Sequence, residues 1–387
     1  MTTFYGSVLH FPRAPIQRIL LFWSGRCRLN RNSKNQLVPI GQPSYYAPSV
    51  IRSGFAVHEM RSFVLVILCA VSTIICCHSQ VNTRPGSAMS QVANDFLQSL
   101  SSNQLSMTQF KFDEDERYNW HYIPKNRKGI TLKELSGTQR EAVMNMLHTA
   151  LSDTAFQKTT AIMQLENILR TVEGRPANDD YRDPDNYHVS VFGNPSDPIW
   201  GWRFEGHHIS FNFSSKDNRL VSTTPNFLGA NPAVVLSGPE KGKEVLKDET
   251  ELGYALLRSL DEKQKQKAVI NVAAPAEIIT GADRKAIITD THGVSYNELN
   301  SGQQKVFVQL LSLYIHRYTR LFAMDMMKDI ESAGINNLLF SWAGDQQIGI
   351  GHPHYYRIKG PTIIIEYDNT QNNANHVRLR RSCLFTR

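Results

Sequence analysis

Helical and extended periodicities occur in separate blocks of this 387-residue chain, and that segregation limits the architectures open to it more than any single motif does. From Thr138 to Val172, apolar residues recur every three or four positions (Val143, Met146, Leu147, Leu151; Phe156, Ile162, Leu165, Ile168, Leu169). Ser136 and Ser152 stand where N-caps belong and Gly174 where a helix stops, so the spacing predicts a helical hairpin. Residues 187–192, 201–214 and 219–228 are short runs rich in aromatic and β-branched side chains, broken by Asn194-Pro195, Asp197-Pro198 and Asp217-Asn218. They predict an antiparallel meander. Helical spacing returns over residues 239–267 and 296–333, and strand pattern over 337–342, 354–359 and 362–368. Grouped blocks of this kind predict an α+β fold with a largely antiparallel sheet and helical hairpins packed on it, rather than a doubly wound sheet. No internal repeat is apparent.

The ends read differently from the middle. Residues 1–59 are Arg-rich, nearly free of acids and without periodicity, an atypical extension that initiation at Met60 would leave untranslated. Residues 60–79 have a short basic start, a largely apolar run of fifteen residues from Phe63 to Cys77, and small residues before Gln80, the pattern of a secretory signal peptide. Secretion is therefore expected, with tethering by an uncleaved signal anchor as the alternative; a run of fifteen residues is too short for a stable membrane span. Residues 80–110, rich in Ser, Gln and Asn, read as a flexible lead, 111–376 as a single globular α+β domain, and 377–387 as an aberrant basic tail. The net charge of +7 is carried entirely by the ends: six net positive charges in residues 1–59, Arg61, and four arginines after Val377 leave residues 80–376 at −4. A mildly acidic body gives no support for nucleic-acid binding. All five cysteines also lie outside residues 80–376, so that body has no disulfide, and any metal there would need nitrogen and oxygen ligands.

Candidate chemistry concentrates near the C-terminal end. His352, His354 and His376 lie close in sequence to Arg357, Glu366 and Asp368, and the turn Lys359-Gly360-Pro361-Thr362 would bring imidazoles of one strand towards carboxylates of the next. His352, His354 and His376 are thus candidate metal ligands, and Glu366 and Asp368 candidate ligands or general bases. Arg357 is a candidate clamp for an anionic substrate or an ion-pair partner of Glu366. A further imidazole would come from His207 or His208, which alternate to opposite faces of the 202–214 run unless Gly206 breaks the pleat. A divalent metal held this way (Zn, Cu or Fe) points to a hydrolase or oxidoreductase acting on a small polar substrate. The alternative is a non-catalytic domain binding carbohydrate or peptide through Trp200, Trp202, Phe204, Tyr355 and Tyr356. Nucleophile-elbow, phosphate-loop, His-Glu-x-x-His and dinucleotide signatures are all missing.

Several strings occur together and in order: Arg182-Asp183-Pro184-Asp185-Asn186-Tyr187, the run from Trp200 to His208, the run from Pro225 to Pro232, Phe340-Ser341-Trp342-Ala343-Gly344, and the segment from His354 to His376. Over roughly Ser136 to His376 they resemble the family called domain of unknown function 3500. The resemblance implies membership of an uncharacterised family and no particular reaction. In the family pattern Asn-His is followed two positions on by another histidine, then by Trp-Arg-Asp and Asp-Phe-Gly segments. Here Asn375-His376-Val377 runs instead into Arg378 and Arg380-Arg381-Ser382-Cys383. An inactive, truncated member is the reading that this departure adds.

Overall fold

In the computed structural model, which describes residues 85–383, local capping chemistry sets the helix starts. The chain enters through α1 (Pro85–Ser99) and α2 (Ser102–Thr108), then β1 (Gln109–Phe110) and β2 (Ile130–Thr131), before the hairpin α3 (Gly137–Ala150) and α4 (Asp153–Val172). Ser136 and Ser152 cap α3 and α4 by accepting from Gln139 N and Ala155 N, as the sequence predicted. Five strands follow: β3 (His188–Phe192), β4 (Ile199–Gly206), β5 (Ile209–Lys216), β6 (Arg219–Ser222) and β7 (Asn226–Ala230).

The same order then recurs. Helices α5 (Lys247–Ser259) and α6 (Glu262–Ala268) lead to β8 (Val269–Asn271) and β9 (Val294–Ser295). The hairpin α7 (Ser301–Ile315) and α8 (Arg320–Ser332) leads to β10 (Leu339–Gly344), β11 (His354–Lys359), β12 (Ile363–Asn369) and β13 (Val377–Cys383). The 13 strands among the described residues form one sheet; ten follow the order β1-β3-β4-β5-β7-β13-β12-β11-β10-β8, which reads alike from either edge, and β2, β6 and β9 pair with β3, β5 and β10. Each half has the same parallel edge pair, β1 with β3 and β8 with β10, while the other pairs are antiparallel. Side chains repeat as well: Gln139 donates to Ser99 O and Gln303 to Ser259 O, both at 2.7 Å. The expectation of no repeat is thus corrected, and the chain is a pseudo-two-fold pair. Its local axis passes by the central pair Asn226↔Arg381 and by the bridge Leu151↔Tyr318, where equivalent residues face one another.

The two faces of the sheet differ because alternation along each strand separates residue types. One face carries Val191, Trp202, Phe211, Leu228, Leu379, Tyr367, Tyr356 and Trp342, all buried in one apolar core with the helices. Each such side chain contributes roughly 1.5–3 kcal/mol by leaving water. The opposite face carries Arg203, Glu205, Arg380, Glu366 and Arg357, also buried, under the loops of residues 111–129 and 272–293. Those loops supply the partners: Glu116 O and Oε1 for Arg203 at 2.8 and 2.6 Å, and the carbonyls of Thr280, Gly281 and Asp283 for Arg380. Burying these charges is tolerated because each has a counter-charge or several acceptors.

Three expectations change. From Pro85 the supposed flexible lead is helical and belongs to the core, with Met89, Ala93 and Phe96 at the four- and three-residue spacing of one buried face. As far as Cys383 the supposed basic tail is strand β13 at the centre of the sheet, and its Arg378, Arg380 and Arg381 are buried rather than displayed as a cationic surface. The supposed single strand over residues 202–214 is a hairpin, β4–β5, whose two-residue turn is His207-His208. The secretory-signal reading of residues 60–79 falls outside the described residues. Among the described residues no helix is long and apolar enough to cross a membrane.

Candidate metal centre

Gly206 ends β4 where any larger residue would collide with the Tyr187 ring, since an added Cβ would lie 2.5 Å from Tyr187 Cδ1. The chain then reverses through His207 and His208, and His208 takes φ 64, a left-handed conformation that a histidine adopts only when its surroundings hold it there. Three hydrogen bonds do so. Tyr187 Oη donates to His207 O at 2.8 Å, His208 N donates to Tyr122 O at 2.9 Å, and Gly229 N donates to His208 O at 2.7 Å. Breaking the pleat in this way puts adjacent histidines on one side, with ring centroids 3.6 Å apart.

His376 arrives from the other half. Asn372, Asn373 and Ala374 all have positive φ, which coils the chain back before β13. Asn375 then anchors it, accepting from Val234 N at 2.7 Å and donating to Val234 O at 3.2 Å, while His376 N donates to Asn369 Oδ1 at 2.9 Å. The result is His208 Nε2 facing His376 Nε2 at 2.8 Å. Burial, helped by the neighbouring His207 and His376, holds His208 well below the usual imidazole range. Burial and then Arg378 push His376 down to about 3. Both rings are therefore neutral at physiological pH, the state a metal ligand needs.

Glu166 completes the group. It lies on the buried stripe of α4 among Ile162, Met163 and Leu169, and is itself 2 % exposed. Its Oε1 is 2.5 Å from His207 Nδ1. The shorter of the two contacts at Nδ1 is with this carboxylate, an acceptor, which puts the proton on Nδ1 and leaves Nε2 as a lone pair; Arg182 Nη1, a donor 3.0 Å from the same nitrogen, then makes no hydrogen bond to it. Arg182 stands beside both, its Nη1 3.0 Å from His207 Nδ1 and 3.4 Å from Glu166 Oε2, while Glu173 accepts from Arg182 Nη2 at 2.6 Å. Ligand atoms of Glu166, His207 and His208 all lie within 4.8 Å of one another.

The other expected site residues lie elsewhere. The β11–β12 hairpin forms with the predicted turn, but its register sets His354 opposite Asn369, Arg357 opposite Glu366, and Tyr355 opposite Asp368. His354 shares the apolar face with Trp342, on which it stacks at 5.2 Å, whereas Glu366 and Asp368 point to the charged face. The expected approach of imidazoles to carboxylates across this hairpin is absent because alternation sends them to opposite sides. Glu366 is occupied instead by Ile279 N at 2.6 Å, Thr280 N at 3.2 Å, Tyr355 Oη at 3.0 Å and the Thr280 hydroxyl. Asp368 accepts from Thr370 Oγ1, Arg357 pairs with Asp290, and His352 meets Asp345 at 2.6 Å in the half-exposed loop before β11. Sequence reading missed Glu166 and gave Arg182 no role. The signal for Glu166 was a carboxylate at a core position of an otherwise apolar helical stripe.

Fold and site together define a pseudo-two-fold α+β protein with one imidazole–carboxylate cluster, built on a hairpin tip of the first half and completed by a histidine of the second. The chain belongs to the family described as protein of unknown function (DUF3500), whose model matches residues 82–380. That span takes in both α1 and the start of β13, which agrees with their place in the fold. No curated protein and no solved structure matches the chain.

Proposed function

We propose that the cluster is a divalent metal centre and that the protein is a metal-dependent enzyme, a hydrolase or oxidoreductase acting on a small polar substrate. The observation that carries this reading is the grouping of Glu166, His207 and His208, whose ligand atoms lie within 4.8 Å of one another, with a third imidazole, His376, set against His208 at 2.8 Å from the other half. Buried polar side chains ordinarily take ordinary partners; two neutral imidazole nitrogens facing each other at 2.8 Å satisfy each other with a single proton. In tetrahedral coordination with bonds of about 2.0–2.1 Å, neighbouring ligand nitrogens stand about 3.3 Å apart, so small rotations of the two rings would admit an ion. Glu166 then holds the His207 ring through its Nδ1–H, and Arg182 is placed to balance the charge of Glu166 and of an anionic substrate group. An ion in this position would supply an activated water for hydrolysis or a redox couple for oxidation. Nitrogen and oxygen ligation suits Zn, Cu and Fe alike, so the ion identified decides between the two chemistries.

The carbohydrate- or peptide-binding alternative loses its support, because Trp200, Trp202, Phe204, Tyr355 and Tyr356 are all 0–1 % exposed and so line no groove. Export through the signal-like segment of residues 60–79 belongs to the same proposal and rests on sequence pattern alone.

The test is metal content by mass spectrometry of the purified full chain beside a His208→Ala/His376→Ala variant. Stoichiometric metal that disappears in a folded variant supports the centre. A metal-free wild-type protein after reconstitution with Zn, Cu and Fe sinks it.

A further inference from the structure

The second half holds a different polar opening. A cavity of about 70 Å3 lies beside the loop before β11, walled by Val234, Leu246, Ile348 and Val377, with Thr250, His354 and Asn369 as its uncharged polar members. Thr250 is already bonded, to Tyr367 Oη at 2.6 Å and Leu246 O at 3.2 Å. His354 is not. Its Nδ1 lies 3.0 Å from the carbonyl of His352, which can only accept, so Nδ1 carries the proton and Nε2 is a bare acceptor. That Nε2 is buried with no partner in a side chain 1 % exposed. Asn369 gives its Oδ1 to His376 N, which leaves its NH2 to offer a donor. Burial pushes His354 down to about 4, so the acceptor persists at neutral pH.

The pseudo-symmetry shows that the scaffold does not require this opening. Register equates Gly201 with Tyr355, since Phe192↔Gly201 matches Ala343↔Tyr355, and therefore Trp200 with His354. The Ser99 and Ser259 helix ends, matched by their glutamine partners, likewise equate Ser90 with Thr250. In the first half Trp200 fills the position and donates from Nε1 to Ser90 Oγ at 3.2 Å. In the second half a smaller imidazole leaves the space and an unused acceptor.

We propose that this cavity binds the hydroxyl group of a small alcohol, the O–H donating to His354 Nε2 and the oxygen accepting from the Asn369 NH2, with the alkyl part against Val234, Leu246 and Ile348. The size agrees: one water needs about 10–15 Å3 of cavity space of this kind, so about 70 Å3 takes a molecule of a few heavy atoms. This site adjoins the imidazole cluster through Asn369, which holds His376 N, but uses none of its imidazoles and stands whether or not that cluster holds a metal.

Ethanol and acetonitrile are the probes, similar in size but only ethanol having an O–H. Long-range 1H–15N spectra of the full chain would follow His354 Nε2, assigned with His354→Gln. Ethanol is expected to shift it saturably, with acetonitrile at least about tenfold weaker, the loss expected for one missing hydrogen bond; His354→Phe should abolish ethanol binding measured on the methyl signals of the cavity. A response to ethanol that stays linear, or acetonitrile acting as strongly, overturns the proposal and leaves a cavity holding water only. Should His354→Phe fail to fold, the comparison of the two probes on the wild-type chain still decides.

Discussion

The Glu166 carboxylate holds His207 by its Nδ1 at 2.5 Å, a bond between the middle of a helix and the tip of a hairpin 41 residues further along the chain. It fixes which nitrogen of His207 is free. Glu166→Gln is nearly isosteric but offers a neutral amide that holds the Nδ1–H less firmly. Metal affinity should fall about 10–100-fold, measured by competition with a chromogenic chelator, while the melting temperature changes little. An unchanged affinity would remove Glu166 from the centre.

Glu366 provides the contrasting case. It anchors the loop over the charged face through Ile279 N, Thr280 and Tyr355. Glu366→Ala should destabilise the fold by about 3 kcal/mol, since it strips charge-assisted bonds from buried donors, and should leave metal stoichiometry intact. Denaturant unfolding and metal analysis on the same sample separate the two effects.

Asp368 gives a pH dependence with a definite sign. Burial, then the nearby Glu277, pushes its carboxyl up to about 8, whereas an unfolded chain releases that proton near about 3.9. The folded state therefore binds the proton more tightly. The stability this confers is complete below about pH 4 and is lost as pH rises through about 8. Asp368→Asn should flatten that part of the stability curve and outlast the parent above pH 8. Thermal melts between pH 5 and 9 check it; parallel curves for the two proteins would refute the assignment.

Strand β13 pairs with both β7 and β12 and joins the halves. A chain ending at His376 exposes both neighbouring strands and the apolar positions that Val377 and Leu379 fill. It should show no cooperative unfolding transition by circular dichroism. A sharp transition in that truncated chain would mean that the strand is dispensable.

The helical hairpin with its serine caps, the strands that follow it and the antiparallel sheet were legible in the sequence because periodicity and capping are local. So was the turn at Gly360-Pro361. The repeat was not read, although Glu134-Leu135-Ser136 through Gln139 and Glu298-Leu299-Asn300 through Gln303 mark the same capping box in both halves. It is written in strand order and hydrogen-bond position more than in residue identity. Strand β13 was misread for a related reason: its arginines look like a solvated tail until Thr223, 158 residues earlier, and the loop of residues 272–293 supply the carbonyls, hydroxyl and carboxylate they need. Of the candidate site, the histidines were named but their grouping was not. The left-handed conformation of His208, set by long-range contacts, brings His207 and His208 to one side, and the positive-φ coil of residues 372–374 brings His376 to meet His208.

A symmetric dimer of identical chains must carry every feature twice. Joining two such copies in one chain frees each to diverge while the shared sheet keeps both in register. Here the turn that is His207-His208 in one copy is Pro361-Thr362 in the other, and the position filled by Trp200 is left open by His354. One plan used twice thus provides two unequal workspaces.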